Sequence, residues 1–559
     1  MSDSVPPDSR AGHPIEEDRR RERRRHLQRL RRVAGVLGGL ALIALLVGAC
    51  ASGPTSVPSP GDPSGLTTGS GTQLVGLAPG TITQDDYNTA TGAEPFAVKL
   101  ADLVDQNRLG VNFTWLLVAG FLVMFMQAGF ALVETGFTRA KNALHTMSMN
   151  FMVYAIGIIG FFFVGFGLAF GGLGTVGVAN LGGLKPLSSE FGITMGGTNW
   201  GIAGGTGFAL TGATYDVGVI AFFLFQLVFM DTAATIPTGS MAERFRFKPF
   251  VIYALFVSAI LYPMFANWAW GGGWLSQLGS IGLGSGYADF AGSGVVHSIG
   301  GWCALAGAIV LGPRIGKYAR DGKIANPMPG HNQILAILGT FILAFGWFGF
   351  NPGSTFGASG NGALRIGIVA VVTLLASGFG AVSAMVYTWW TEGKPNPAMM
   401  ANGMLAGLVA ITAPSGFVGP IAGSIIGLVA GVLVCFSVAF FDRVRVDDPV
   451  GAISVHGVNG LWGVLAVGIF ADGTANYGGY TVTGLLYGNV GQFVAQLIGA
   501  ATCFVWAFGA SYVFFRLLDR VVPMRVSAET EIGGLDIPEM GAVGYIPVEL
   551  PAPGAEAAA

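Results

Sequence analysis

Two histidines, His297 and His456, lie within long apolar stretches of the chain. An ionisable side chain is costly to bury in such surroundings, so a histidine there often has a function, although one whose nitrogens are satisfied can be an ordinary core residue. A neutral imidazole carries one nitrogen that donates a hydrogen bond and one that accepts. Two such rings could pass a proton or bind a small neutral amine, and paired histidines on different helices can also ligate haem iron.

The other groups that could do chemistry give no second centre. Cys303, Cys435 and Cys503 fall within apolar stretches and are predicted to be packing residues. Residues 282–294 match fragments of nucleotide-binding fingerprints, but no strand is predicted before them and no Lys-Ser or Lys-Thr pair follows. The sequence therefore predicts no metal site, no cofactor, no catalytic residue and no enzymatic activity.

The composition indicates which elements must position the two histidines. Of the 559 residues, 52% are hydrophobic and only 11% are charged, too few to cover a water-soluble globule. A stretch of about 20 apolar residues can cross a bilayer as a helix. The sequence predicts an all-α polytopic membrane protein with eleven such transmembrane helices, at residues 112–135, 148–172, 217–240, 249–270, 293–312, 332–351, 364–388, 398–415, 419–441, 453–471 and 488–518.

The distribution of positive charge predicts the orientation of these helices. The segments on one side contain fifteen Lys and Arg residues, whereas the loops between helices on the other side contain only Lys185 and Arg365. Because cytoplasmic loops carry the excess of positive charge, we predict a multi-pass protein of the inner (plasma) membrane with its C-terminal tail in the cytoplasm. The net charge of −2 gives no indication of nucleic-acid binding.

The N-terminal region predicts export. An arginine-rich run at residues 19–32 precedes apolar residues 33–49 and then Cys50, which is the order of a signal segment. Val-Gly-Ala-Cys resembles a lipoprotein cleavage box that would lipidate Cys50, and an uncleaved anchor is the alternative. We divide the chain into this signal segment (1–50), an exported Ser/Gly/Pro-rich linker with a small polar segment (51–110), a membrane domain (111–519) and a cytoplasmic tail (520–559).

A short sequence pattern that occurs in both halves of the membrane domain predicts an internal repeat. A Val-His pair with a glycine four residues after the histidine occurs at His297 and again at His456. The two pairs fall in the fifth and tenth predicted helices, and an odd number of helices per half makes the halves insert in opposite orientations. The sequence therefore predicts an inverted five-plus-five repeat around a central pore.

Five motifs surround the histidines or lie between them. Asp-Phe-Ala-Gly-Ser-Gly-Val-Val-His ends at His297, and Asp-Pro-Val-Gly-Ala-Ile-Ser-Val-His-Gly begins at Asp448. The others are Ala-Glu-Arg from Ala242, Trp-Ala-Trp-Gly-Gly-Gly from Trp268 and Gly-Trp-Phe-Gly-Phe-Asn-Pro-Gly-Ser from Gly346. From residue 112 to 545 the chain resembles the ammonium transporters (the Amt/Mep/Rh superfamily). The resemblance implies ammonium or ammonia as substrate and a homotrimer with one pore per subunit.

The resemblance implies roles for residues on the outer side of the pore. Phe229, Trp270 and Ser354 would recruit the ammonium cation at an external site, since aromatic ring faces attract cations. Phe229 and Phe350 would stack and close the pore mouth as a gate. Phe225 precedes them in a Phe-Gln-x-x-Phe pattern and would support this gate.

Two magnitudes suggest why histidines should follow an aromatic gate. A cation–π contact contributes about 2 kcal/mol when desolvated, whereas moving an ion into a low-dielectric core costs on the order of 20 kcal/mol. Ammonium would therefore lose its proton near the gate, and ammonia, with or without a separately relayed proton, would pass His297 and His456. Potassium has no proton to lose, so the same step could provide selectivity.

Two acidic residues and one tryptophan complete the candidate site, and a third acid, Glu134, lies at the inner end of the first predicted helix. Asp289 is predicted to bind helix amides at the outer start of the fifth helix rather than to contact the cation. Asp231 departs from the family pattern and either bonds to hydroxyls, faces a helix interface, or adds a proton or cation site. Glu134 is predicted to pair with Arg139 or to reach water. Trp347 occupies a position in a family motif and is predicted to support the site.

The tail predicts a partner, and two rival functions stay open. Residues 534–545 resemble the family's regulatory segment, which implies a cytoplasmic nitrogen-regulatory signalling protein as partner. Met540 and Ala542 replace the usual histidine and glutamate, so this regulation is in question. The same pore residues would suit an ammonium sensor that conducts little, or an Rh-type channel for neutral ammonia or gas.

Overall fold

The computed structural model describes residues 72, 75, 82–176, 178, 180–181, 184–319, 325–473 and 481–546. Cys50, the predicted signal segment and most of the predicted linker lie outside these residues. Export, lipidation and the division of the chain into four segments therefore stay predictions. Within the described residues the chain is mostly helical, with one two-stranded sheet.

Long apolar helices make up most of the described chain. In chain order the helices are α1 (Gln84–Ala93), α2 (Pro95–Phe137), α3 (Ala140–Phe170), α4 (Val217–Met241), α5 (Phe247–Trp270), α6 (Ser293–Leu311), α7 (Gln333–Phe350), α8 (Asn361–Glu392), α9 (Pro397–Thr412), α10 (Pro420–Arg443), α11 (Ile453–Phe470), α12 (Val490–Val521) and α13 (Ala528–Gly533). Between α3 and α4 lie the antiparallel strands β1 (Glu190–Met195) and β2 (Thr198–Gly204). We call the end of the bundle with this hairpin the hairpin side, and the end with residues 522–546 the tail side.

Ten helices within the described residues, α2 to α8 and α10 to α12, are long and apolar enough to cross a membrane. They overlap ten of the eleven predicted transmembrane helices, although α2 begins at Pro95 rather than at residue 112. The predicted eighth helix, 398–415, corresponds to α9, which is apolar but has only 16 residues. The prediction of an all-α polytopic membrane protein is confirmed, and the eleventh crossing stays a prediction.

Glycine allows α2 and α7 to pack with their backbones almost in contact. A Cβ added to Gly136 would lie 2.6 Å from the amide nitrogen of Ala336, and one added to Gly339 would lie 2.7 Å from the carbonyl oxygen of Gly129. Helices in lipid gain no hydrophobic drive for association, so small residues that permit close van der Waals packing stabilise the contact. These glycines therefore belong to helix packing.

Both helices that carry a pore histidine begin with a wide turn of the π type. The turn covers Ser293–Ser298 in α6 and Ile453–Val458 in α11. An aspartate precedes each turn, and its carboxylate accepts hydrogen bonds from several backbone amides at the helix start: Asp289 from residues 292 to 295, and Asp448 from residues 451 and 453. These bonds satisfy amides that a helix start leaves unpaired. The same device in both halves agrees with the predicted internal repeat.

A buried ion network on the tail side corrects the prediction for Glu134. Arg139 forms its ion pair with Glu243, which also binds Arg314 at 2.9 Å. Glu134 is only 2% exposed, so it neither pairs with Arg139 nor reaches bulk water. Arg314 bonds Asp447 as well, at 2.8 Å. Burial opposes ionisation of Asp447, but the hydrogen bonds and charge of Arg314, with the charge of Arg244, hold its pKa well below the usual range.

The described part of the tail folds back onto the connections between helices. The Asp536 carboxylate accepts hydrogen bonds from the amides of Leu144 and His145 at the start of α3. Lys141 donates to the carbonyl oxygen of Glu531 at 2.7 Å. The Tyr545 hydroxyl lies 2.7 Å from Nε2 of His331. The tail is therefore attached to the helix bundle through both charged and neutral hydrogen bonds.

The hairpin packs on the end of α5 through polar contacts. Nε1 of Trp268 donates to the carbonyl oxygen of Ile202 at 2.9 Å, and Nδ2 of Asn267 donates to Oε2 of Glu190 at 3.2 Å. The other carboxyl oxygen of Glu190 is buried and has no hydrogen-bond partner in the described residues. Burial raises the pKa of Glu190 from 4.5 to about 7, although the bond from Asn267 partly opposes this shift.

This raised pKa predicts a loss of stability as the pH rises. Between pH 4.5 and about 7 the folded state binds more protons at Glu190 than the unfolded state, so the free energy of unfolding falls as pH rises. The contribution is complete below the unfolded pKa and is lost as pH rises through the folded pKa. We expect Glu190→Gln to remove this part of the pH dependence, measured as the unfolding midpoint of purified protein at several pH values. Parallel curves for the two proteins would contradict it.

Candidate functional site

A cavity of about 430 Å³ opens on the hairpin side. Of the predicted site residues on the outer side, its lining includes Phe225, Phe229, Trp270, Asp289 and Ser354 but not Asp231, Trp347 or Phe350. Nε1 of Trp270 donates to the carbonyl oxygen of Asp289 at 2.7 Å, which fixes the indole against the start of α6. Trp270 ends α5, so the long helix holds this ring at the cavity edge. The arrangement offers aromatic faces and polar atoms to a small cation.

Two stacked rings lie at the bottom of this cavity. Phe229 of α4 and Phe350 of α7 have ring centroids 4.0 Å apart with planes inclined at 28°. Phe225 packs one helical turn before Phe229, with centroids 4.6 Å apart. Phe350 in turn stacks on His297 at 5.4 Å. The phenylalanine pair therefore separates the cavity from the first histidine.

The two histidines contact each other directly. The Nδ1 atoms of His297 and His456 are 3.2 Å apart, and the ring centroids are separated by 5.2 Å. One of the two nitrogens must donate and the other must accept in this contact. Trp347 stacks on His297 with ring centroids 5.1 Å apart, and its Nε1 donates to the Thr412 hydroxyl at 2.9 Å. No porphyrin plane could lie between rings in direct contact, so the geometry does not suit haem.

Glycine also permits α6 and α11 to cross where the histidines meet. A Cβ added to Gly301 would overlap the amide nitrogen of Gly457. A Cβ added to Gly460 would likewise overlap the carbonyl oxygen of Ser293. The backbones of the two helices thus touch within a few residues of His297 and His456, and this close crossing brings the rings within hydrogen-bonding distance.

Two further cavities continue the path towards the tail side. Next to His456 lies a cavity of about 20 Å³, which is lined by Glu134 among others. A vestibule of about 180 Å³ follows, whose lining includes Asp448 and Lys317. Asn402 and Val450 line both cavities and therefore lie between them. From the hairpin side the order is outer cavity, phenylalanine pair, histidine pair, small cavity and inner vestibule.

Asp231 faces away from this path although it follows Phe229 by only two residues. It does not line the outer, small or inner cavity described above. It is buried at 3% exposure, and its Oδ1 has no hydrogen-bond partner in the described residues. It lies in α4, which packs against α3. Of the surroundings predicted for Asp231, the structure shows the helix interface. It shows no hydroxyl bonded to Oδ1 within the described residues.

The unpaired carboxyl at Asp231 predicts a stabilising substitution. Burying a carboxyl group without a partner costs more than burying an amide, because its favoured ionised form must be given up. We expect Asp231→Asn to raise the free energy of unfolding by about 1 kcal/mol, measured as a higher unfolding midpoint in detergent at neutral pH. A lowered midpoint would indicate that the carboxylate has a stabilising partner.

The family of the chain follows from residues 114–545, which match the model of the Ammonium Transporter Family. The chain belongs to the ammonium transporter family. It is 48% identical to the ammonium transporter Amt2 of Archaeoglobus fulgidus over 463 residues, which cover 81% of this chain and 92% of that relative. Membership of the ammonium transporter family supports ammonium transport as the function and a multi-pass membrane protein as the class.

Solved structures of the family share the fold. A structure named Sensor Amt Protein is 37% identical and aligns with a TM-score of 0.67, covering 78% of this chain and 100% of that one. Mep2 of Saccharomyces cerevisiae is 28% identical and aligns with a TM-score of 0.64, covering 75% of this chain and 88% of that one. The bundle described above is therefore an Amt/Mep fold.

Reasoning from sequence missed two residues of this family member's pore. Arg365 lines the outer cavity, and its guanidinium carbon lies 4.5 Å from the ring centroid of Phe290. The signal for Arg365 was its rarity, since it is one of only two basic residues in the predicted outer loops. Glu134 lines the small cavity beside His456. No spacing in the sequence places either residue at the pore, because the other residues that line each cavity come from different helices.

Proposed function

We propose that the chain is a transporter that recruits the ammonium cation in the outer cavity, deprotonates it near the phenylalanine pair and conducts ammonia past His297 and His456, with or without a relayed proton. The observation that carries this proposal is the unbroken series of ring contacts from Phe229 through Phe350 and His297 to His456. The series contains an aromatic part that suits a cation and an imidazole part that suits a neutral amine.

The electrostatics favour deprotonation before the histidines. The outer cavity has polar groups, including the Ser354 hydroxyl and the Asp289 carboxyl, beside the rings of Phe229 and Trp270. His297 is fully buried, and its Nε2 has no hydrogen-bond partner in the described residues. An ion would lose its hydration there without replacement, at a cost on the order of 20 kcal/mol by the Born relation. Ammonia carries no net charge and avoids this cost.

A second candidate function is an ammonium sensor with little conduction. The specific observation in its favour is the likeness to the structure named Sensor Amt Protein. A sensor would use the same outer cavity and would signal through the tail, which is bonded to the start of α3 by Asp536. An Rh-type channel for neutral ammonia is the remaining alternative and would move no charge.

The assembly and orientation are part of the same proposal. We place the tail side in the cytoplasm and the hairpin side outside the plasma membrane, because the ion network of Arg139, Arg314 and Arg244 lies on the tail side. We further propose a homotrimer, with a nitrogen-regulatory signalling protein as a cytoplasmic partner of the tail.

Charge movement by the purified protein tests the proposed function. The protein would be reconstituted in liposomes on a solid-supported membrane and pulsed with ammonium and then with potassium. A current with ammonium and none with potassium is expected. No current combined with tight ammonium binding would favour the sensor, and lumenal alkalinisation without current would favour the neutral channel.

A further inference from the structure

The carboxyl group of Glu134 lies beside the pore, directly after the histidines. Glu134 and His456 line the same cavity of about 20 Å³. A cavity needs roughly 10–15 Å³ to hold a water molecule, so this one has room for a single water or a single ammonia between the two side chains. The inner vestibule begins on the far side of Asn402 and Val450. Glu134 is thus positioned between the histidine pair and the tail-side exit.

Hydrogen bonds orient this carboxyl group without neutralising it. Oε2 of Glu134 accepts from Nδ2 of Asn150 at 2.7 Å and from the Thr238 hydroxyl at 2.8 Å. Oδ1 of Asn150 accepts from Thr235 at 2.9 Å, which turns the amide NH₂ group towards Glu134. Oε1 packs against Gly239, where an added Cβ would come within 3.0 Å of it.

None of the described basic side chains forms an ion pair with Glu134. The nearest basic residue along the sequence, Arg139, is engaged by Glu243. Neutral donors support a carboxylate but leave its charge free to attract a proton or a cation. Of the two acids that line the inner vestibule, Asp448 is already bonded to backbone amides at the start of α11, and Asp442 pairs with Lys317. Among these acids, Glu134 therefore has the position to exchange a proton with the pore and no basic partner in the described residues.

We propose that Glu134 is the proton acceptor on the tail side of the histidine pair. The proton that ammonium gives up near the phenylalanine pair passes through the contact between the His297 and His456 rings, leaves His456 across a water in the small cavity and protonates the Glu134 carboxylate. Ammonia that enters this cavity then takes the proton, which restores the carboxylate and re-forms ammonium for release into the vestibule. This inference rests on the proposed function, since it requires that a proton travels with ammonia.

A purely structural role for Glu134 makes different predictions. In that role the residue would only join α2 to α3 and α4 through Asn150 and Thr238. Glu134→Gln keeps the shape and an oxygen that can accept both bonds, so it would leave transport unchanged. If the residue carries protons, the same change removes the carboxylate and separates proton movement from ammonia movement.

The experiment compares charge movement with ammonia entry in the same liposomes. Ammonium chloride pulses would be applied to wild type, Glu134→Gln and the matched control Asp231→Asn, which makes the same acid-to-amide change within the membrane but outside the pore. We expect Glu134→Gln to lower the current about tenfold or more, while ammonia still enters and makes the lumen alkaline, as reported by an internal pH dye. Asp231→Asn should retain the wild-type current.

Each result other than the expected one contradicts either the role of Glu134 or the proposed function. If Glu134→Gln retains the wild-type current, the role of Glu134 is overturned. The role is also overturned if the variant assembles normally but loses both current and ammonia entry. Neither outcome contradicts the proposed function. A wild type without current overturns this inference, because no proton then travels with ammonia; if ammonia also fails to enter, the proposed conduction is contradicted as well. If Glu134→Gln fails to assemble, Glu134→Asp is tested instead, because this variant keeps a carboxylate. Glu134→Asp is expected to retain a measurable current, and complete loss of its current overturns the inference.

Discussion

Replacing either His297 or His456 with alanine is expected to lower the ammonium-evoked current on the order of a hundredfold, the usual effect of removing a positioned proton carrier. The two Nδ1 atoms are 3.2 Å apart, and the rings connect Phe350 to the small inner cavity. Without one ring the contact between the two Nδ1 atoms is lost, and a proton can no longer pass from one imidazole to the other. The current of reconstituted protein on a solid-supported membrane measures the effect.

The control for this prediction is a buried histidine outside the pore. His145 is fully buried at the start of α3, and its ring nitrogens have no hydrogen-bond partner in the described residues. His145→Leu should keep the current within about threefold of wild type, a change of less than 1 kcal/mol. Unchanged methylammonium uptake and unchanged selectivity in both alanine variants would disprove the histidine mechanism.

Replacing Phe229 with alanine is expected to abolish discrimination between ammonium and potassium. The ring stacks on Phe350 at 4.0 Å and closes the floor of the outer cavity. Its removal would let water reach His297, and a hydrated path lowers the desolvation barrier that excludes potassium. We expect the ratio of ammonium current to potassium current to fall on the order of a hundredfold, or about 2.7 kcal/mol.

A second stacked phenylalanine pair provides the control for the gate. Phe256 of α5 and Phe514 of α12 stack at 3.9 Å and line none of the cavities along the proposed path. Phe514→Ala removes the same volume and the same kind of contact, so it should destabilise the bundle without admitting potassium. Selectivity that survives in Phe229→Ala, or that is lost equally in Phe514→Ala, would show that Phe229 is not a gate.

The transmembrane helices could be predicted from sequence because their signal is local. Each is a long apolar stretch, and its length alone indicates a crossing. The local signal is weaker at helix ends: α2 extends to Pro95 through polar residues, and α9 is shorter than the predicted 398–415. The hairpin of β1 and β2 was also missed, since short strands of mixed polarity have no comparable signal.

The residues of the site also divide into those that could be predicted from local sequence and those that could not. The histidines were found because an imidazole is rare among apolar residues, and the aromatic residues were found through motifs. Asp231 was harder to interpret, because two residues along an α-helix turn a side chain about 200° away from Phe229. Glu134 was placed wrongly, since Arg139 is its neighbour in sequence while the fold gives Arg139 to Glu243. Pairings between distant segments are not visible in the sequence.

The glycine crossing of α6 and α11 has a consequence for how this protein can change over time. Side chains that touch a substrate can be exchanged for slightly larger or smaller ones, and affinity then shifts in small steps. Gly301 permits no such gradation, because even one added carbon would overlap the backbone at Gly457. The residue is predicted to tolerate no substitution in a library of variants selected for growth on ammonium, although it never meets the substrate. Intolerance at this position would reflect the distance between two helices.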